Sequence, residues 1–208
     1  MTSKVVRPAV EYSELSSQGT PVLSQGRRVS VVWAMFLSML CLLFTTVGAF
    51  AVSTPSEYQV KAAFLYNFSR FVDWPSGSFA QSGSPFVIGV VGQDPFGSSL
   101  DKVTDGKTVD GRNIIIRRFR RVSDMEHCHI LFISDSERER LPRILDRIEN
   151  KATLTVSEID GFIARGGIIN FAVESKKVRF DINSDAAERA RIRISAKLLQ
   201  LARTVKRS

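Results

Sequence analysis

From Val29 to Ser56 the chain carries no charged residue, and this run constrains everything that can be built from the rest. Its heart, VVWAMFLSMLCLLFTTVGAF, follows Arg27 and Arg28 and ends at Ala49-Phe50-Ala51, an A-x-A-like site. These features predict a secretory signal peptide cut after Ala51. The other reading is an uncleaved anchor over residues 29–52, since about 20 apolar residues span a bilayer. In both cases the paired arginines keep the N-terminus cytoplasmic and send the remainder outward. A lipid attachment at Cys41 is disfavoured because Leu40 stands where a small residue is wanted. Residues 1–51 therefore read as a polar extension plus leader, and residues 52–208 as the folding domain, which is long enough to bury a core.

The predicted export decides what the charge means. The formal net charge is +8, and basic chains meet nucleic acid, anionic lipid or acidic proteins. A periplasmic domain seldom meets nucleic acid, so IIIRRFRR at 114–121 reads as a strand running into a solvated basic end. Of the two cysteines, Cys41 and Cys128, only the second lies in the domain. No internal disulfide is expected.

Residues 58–75, YQVKAAFLYNFSRFVDWP, carry six aromatic rings. At 100° per residue Val60, Phe64, Phe68 and Phe71 share a stripe flanked by Leu65 and Val72. This predicts an amphipathic helix over about 56–73, stopped at Trp74-Pro75. Lys61 falls near the stripe one turn after Glu57, an order that suits an ion pair. Phe64, Phe68 and Phe71 are expected core. Tyr66 lies off the stripe and Trp74 sits where the helix stops, so packing on that face demands neither. They are the candidate partner-binding residues, with a second layer of core against the sheet as the rival reading.

Downstream, PFVIGVVG (85–92) predicts a buried strand. Asp94 with Pro95 predicts the start of a helix. Strands are expected at 112–119, 127–134 and 152–157, with a helix at about 137–149 disturbed by Pro142. GIINFAVES and KKVRFDIN predict a hairpin, with Val178, Phe180 and Ile182 on one face. Asn183 or Ser184 is expected to cap a long final helix, DAAERARIRISAKLLQLARTV, whose stripe is Ala187, Ile194, Leu198, Leu201 and Val205. The fold class that results is α/β: a single compact domain with a mixed sheet flanked by helices and a C-terminal β-hairpin followed by a long helix.

Signals for chemistry are sparse. His127 and His129 flank Cys128 and would share a strand face, but no other histidine exists in the chain. A metal site needs three or four ligands. GQDPFGSS has the spacing of a phosphate loop without the Lys-Ser/Thr it requires. Asp181, Asn183 and Asp185 alternate without the Gly and Glu of a calcium loop, and suit a helix start. No Ser/His/Asp or Cys/His relay is visible. No catalytic residue, cofactor or metal is expected.

The assembled motifs resemble the YfiR family of exported bacterial proteins. The resemblance rests on VKAAFLYNFSRFVDWP, VIGVVGQDPFG, CHILFIS, and the ending GGIINFAVESKKVRFDIN with DAAERARIRISAKLLQLAR. It covers about 57–203. It implies a periplasmic α/β domain without catalytic activity. Its partner would be the periplasmic sensor part of an inner-membrane diguanylate cyclase, which it represses, and an outer-membrane-associated protein would relieve the repression. A homodimer is an open alternative. Some relatives carry paired cysteines, which this domain, with Cys128 alone, lacks. A second reading from a different class is a small-molecule-binding sensor, which would need a pocket with converging polar groups.

Overall fold

The computed structural model describes residues 55–207. Both readings of the leader fall on residues outside that range. Among the described residues no helix is long and apolar enough to cross a membrane.

The ring-rich stretch forms α1, Glu57–Arg70. A capping box opens it: the Ser56 hydroxyl accepts from the Gln59 N–H, and the Gln59 side chain accepts from the Ser56 N–H at 2.7 Å. The buried face is Lys61, Ala62, Leu65, Phe68 and Ser69. It is rotated from the expected stripe, with Val60 only half-buried. Phe68 is fully buried, with ring centroids 5.8 Å from Phe64 and Phe171 and 5.1 Å from Phe180. Phe64 and Phe71 are partly buried and pack against the same core. Lys61 takes a core position because its stem lies in the apolar layer while its ammonium finds two carboxylates.

The remaining elements are β1 (Val72–Asp73), β2 (Phe86–Val91), α2 (Ser98–Thr104), β3 (Thr108–Val109), β4 (Arg112–Phe119), β5 (Ile130–Ile133), α3 (Leu141–Ile148), β6 (Leu154–Ser157), β7 (Ile169–Glu174), β8 (Lys177–Asn183), α4 (Ser184–Arg189), β9 (Arg193–Ile194), α5 (Ala196–Leu201) and β10 (Thr204–Lys206). Eight strands form one sheet in the order β10-β8-β7-β6-β5-β2-β4-β3, and β1 pairs with β9 in a separate two-stranded ribbon. The centre, β4-β2-β5-β6-β7, is parallel; β3 and β8 run against their neighbours β4 and β7, and β10 lies parallel to β8. One face of the sheet packs on α1, α2, α4 and α5 through Phe68, Leu100, Phe171, Phe180, Ala187 and Leu198. The other packs on α3 and the turn carrying Phe162, through Val87, Val91, Leu131 and Ile133. The central strands are covered on both faces and read as unbroken apolar runs. This is the mixed α/β class expected from the sequence.

Three segments differ from expectation. Asp94 does not begin a helix. One oxygen accepts from the Phe96 N–H at 2.8 Å, the other pairs with Arg118, and α2 starts only at Ser98. The helix expected over 137–149 begins as a 3-10 segment, Asp135–Arg140, because Pro142 lacks an N–H and is tolerated only in the first turn of α3. The long final helix is absent. α4 is capped by Asn183, whose side chain accepts from the Ala186 N–H at 3.0 Å, and ends with Arg191 at φ 57. There the Ile192 N–H bonds the Ala187 carbonyl and the Arg191 N–H bonds that of Glu188, a Schellman closure. Arg-Ile-Arg-Ile alternates with period two, and β9 places Ile194 opposite Val72 of β1. Ser195 then caps the short α5, and β10 follows.

Candidate functional site

The candidate residues Tyr66 and Trp74 open onto different clefts. Tyr66 is half-buried on α1, and the Lys107 ammonium stands 4.5 Å from its ring centroid. With Arg70 and residues 106–110 it lines a polar cleft of ≈ 540 Å³. Trp74 is half-buried where the chain leaves β1. Its ring meets Phe86 edge-on at 5.2 Å and His129 at 5.8 Å, and its indole N–H points to the Ser69 carbonyl at 3.4 Å. Trp74 also lines a cleft of ≈ 780 Å³ together with Ile194 and Leu199. Arg191, Arg193 and Arg207 line the same cleft, and none of them has an ion pair among the described residues. The Ser184 hydroxyl, also in the lining, is buried without a hydrogen-bond partner. A single long helix, as expected from the sequence, would have hidden this cleft. The signal for it was the alternation in Arg191-Ile192-Arg193-Ile194.

Ligands of open α/β sheets gather outside the carboxyl ends of the strands, where the chain order reverses. Here that point lies between β2 and β5, and the protein fills it. The Gln93 N–H bonds the Ser136 hydroxyl at 2.9 Å. Gly92 is at φ 90, and a Cβ there would lie 2.5 Å from the Ser136 hydroxyl and 2.7 Å from Glu137. Glu137 is buried and bonded twice by Arg140. GQDPFGSS is thus a strand exit braced by β5's own exit.

At the end of β6 sits a charged node centred on the buried Lys61. Lys61, 2% exposed, pairs with Glu57 and, at 2.5 Å, with Glu158. Burial alone pulls the ammonium pKa down, but the hydrogen bonds to Glu158 and Glu57 more than offset this, and the net shift is upward. Lys61 therefore stays charged and is no nucleophile. The Tyr58 hydroxyl donates to Glu158 at 3.1 Å. The node borders a cleft of ≈ 930 Å³ whose other charges are largely paired, Arg138 with Asp135 and Arg203 with Asp181. The Glu57–Lys61 pair was legible as an i,i+4 spacing; Glu158, 97 residues away from Lys61, was not.

His127 and His129 do come together, on the Ser78 carbonyl rather than on a metal-like set of ligands. Their Nε2 atoms lie 3.3 and 3.0 Å from that oxygen. Among the described residues no three His, Cys, Asp or Glu side chains are grouped to hold a metal ion.

A family profile described as YfiR/HmsC-like matches residues 58–203, which takes in every element from α1 to α5. The chain belongs to the YfiR/HmsC-like family. No curated protein matches it. Among solved structures, a conserved domain protein from Vibrio cholerae O1 biovar El Tor strain N16961 is similar at 14% identity and a TM-score of 0.49, with 74% of this chain and 62% of that chain covered. The chain thus spans less than two thirds of that structure's length.

In this YfiR/HmsC-like domain Cys128 is buried, and burial pushes its thiol up to about 12, against a downward pull from Arg117. A protonated, enclosed thiol is a poor nucleophile. Native protein treated with iodoacetamide at pH 8 should leave Cys128 unmodified for hours, and unfolded protein should be modified within minutes. Peptide mass spectrometry reads the site; equal labelling in both states would contradict the burial.

Proposed function

We propose that this protein is a non-catalytic periplasmic regulator that binds and represses an inner-membrane signalling enzyme, with a diguanylate cyclase as the specific partner and biofilm control as the outcome. The observation that carries this reading is the family match over residues 58–203, together with the sequence features of export. The filled switch point between β2 and β5 and the enclosed thiol are consistent with a protein that acts by contact. An outer-membrane-associated protein that relieves the repression belongs to the same reading. The test is to express the full chain with a cyclase bearing a periplasmic sensor part and to measure cyclic di-GMP. Lower levels, with the two proteins co-purifying, support the proposal; unchanged levels with the protein present in the periplasm overturn it.

Tyr66 and Trp74 are proposed as part of the docking surface, and their environments separate them. Tyr66→Ala removes a half-exposed ring whose cation–π contact is worth about 0.5–1 kcal/mol, so the variant should fold and bind at least tenfold more weakly. Trp74→Ala also removes packing on Phe86 and His129, and should cost about 1–3 kcal/mol of stability. Isothermal titration on variants checked by thermal melting gives the answer. Parental affinity in folded Tyr66→Ala would remove that residue from the interface.

The alternative, a small-molecule sensor, is favoured by one feature: the cleft beside Trp74, where three arginines have no ion pair and the Ser184 hydroxyl no hydrogen-bond partner among the described residues. Convergent polar groups over an apolar floor are what such sites show.

A further inference from the structure

We propose that His129 is a pH-operated clamp: with Nδ1 unprotonated it holds residues 74–85 against the amino ends of β2 and β5, and protonation at Nδ1 releases that segment. The release needs no partner, so it stands apart from the regulatory reading.

Geometry fixes the tautomer. The Val87 N–H points at Nδ1 from 3.0 Å, so Nδ1 carries no proton and accepts. The Ser78 carbonyl, 3.0 Å from Nε2, can only accept, so Nε2 carries the proton and donates. The side chain bridges a backbone donor in β2 and a backbone acceptor in the 3-10 turn Ser76–Ser78. Its ring stacks on Phe79 at 4.4 Å and on Phe86 at 4.7 Å, with Trp74 edge-on. Residue 129 is 2% exposed.

Besides the packing of Trp74 and Phe79 on the core, the clamped segment has few ties to the sheet. Apart from that turn, no helix or strand spans residues 74–85. Within it the Ser78 N–H donates to the Pro75 carbonyl, the Ser84 N–H to the Gln81 carbonyl and the Gln81 N–H to the Ser84 hydroxyl, all internal bonds. Its other polar anchors are Arg112, which donates to the Gln81 and Ser84 carbonyls and lies over Phe79 at 3.9 Å, His127, whose Nε2 is 3.3 Å from the Ser78 carbonyl, and the Trp74 indole N–H, 3.4 Å from the Ser69 carbonyl.

A proton on Nδ1 would set an N–H against the Val87 N–H. The buried amide would lose its acceptor, and the new charge would find no anion. The charged and titratable groups that face it are His127, beside it on the approach to β5 with ring centroids 5.1 Å apart, and Arg112 at the start of β4. β2 and the 78–84 segment present only backbone groups and aromatic rings, and the segment from β1 presents Trp74. The faces of Phe79 and Phe86 attract an imidazolium, but they cannot replace the acceptor that Val87 loses. Burial first, then His127, brings the imidazole from its ordinary 6.5 down to about 4.

The sign follows. A released His129 binds a proton below 6.5, and a clamped one only below about 4. The clamp is therefore fully held above 6.5, weakens as pH falls through that window, and changes no further below about 4. Linkage gives a roughly 30-fold rise in opening at pH 5 relative to pH 7.5.

Hydrogen–deuterium exchange on the full chain at pH 7.5 and 5.0, corrected for intrinsic rates, tests this. Peptides covering residues 76–87 should lose about 30-fold in protection, while those covering β6 lose little. In His129→Gln the amide can accept from Val87 and donate to Ser78 without titrating, so protection should be independent of pH. Equal protection of residues 76–87 in the parent at both pH values overturns the proposal. So does an equal loss in β6, or a parental loss in His129→Gln. Should that variant fail to fold, the NMR titration of the parent's His129 ring decides: a midpoint near 4 supports the clamp, and one near 6.5 refutes it.

Discussion

Replacing Phe68 by alanine is expected to cost about 3–5 kcal/mol. Its ring is fully buried and touches Phe64 on its own helix and Phe171 and Phe180 on the β7–β8 hairpin. Two consequences combine: loss of the transfer free energy of a benzyl group, and a cavity that the hairpin cannot close. The hairpin is held on both sides, β7 by β6 and β8 by β10, so the site collapses poorly and the cost belongs at the upper end. Since domains of this size are stable by only about 5–15 kcal/mol, the variant should show a much lower denaturation midpoint or accumulate as unfolded protein. Phe64→Ala, at a half-exposed ring of the same cluster, should cost clearly less. Urea titration followed by circular dichroism ranks the two, and an equal cost would mean that the hairpin does relax into the hole.

A single methyl group at Gly167 should also destabilise the domain, through overpacking. A Cβ there would lie 2.2–2.4 Å from three ring atoms of Phe162, well inside van der Waals contact. Phe162 is fully buried under α3 and cannot swing away. The backbone cannot retreat easily either, because the Gly167 N–H bonds the Phe162 carbonyl at 2.9 Å and the next N–H, of Ile168, bonds the Thr155 hydroxyl at 3.0 Å. Overpacking of this kind costs about 1–3 kcal/mol, occasionally more. The double variant Gly167→Ala/Phe162→Leu should recover part of the loss relative to Gly167→Ala. Thermal melts of the two give the comparison, and no recovery would show that the strain lies in the backbone rather than against the ring.

The parts of this fold that sequence reveals are those fixed by local pattern. Unbroken apolar runs gave β2 and β5, and alternation gave β8. The apolar stripe of residues 60–71 gave α1. What pattern could not give was set by distant partners. Lys61 is buried because Glu158 waits at the end of β6, so the true buried face of α1 is turned away from the stripe that hydrophobicity alone selects. The final segment satisfied a helical stripe on paper, yet Arg191-Ile192-Arg193-Ile194 also satisfies a strand, and pairing with Val72 decided the matter. The hairpin turn was placed correctly, although Ser175 and Lys176 adopt φ 49 and 62 without the Asn-Gly that usually signals such a turn. At the candidate site, Tyr66 and Trp74 were singled out as residues that helical packing does not require. The structure gives each a neighbour that no spacing predicts, Lys107 for Tyr66 and His129 for Trp74.

The ribbon of β1 with β9, and the seating of β10 beside β8, bear on when this chain can fold. Val72 waits for Ile194, and Ile182 waits for Val205. A polypeptide that emerges amino end first has therefore made most of its sheet before either closure is possible. Until residues 193–206 are in place, the β8 edge and the groove beside Val72 remain uncovered. Contacts of such long sequence separation slow folding.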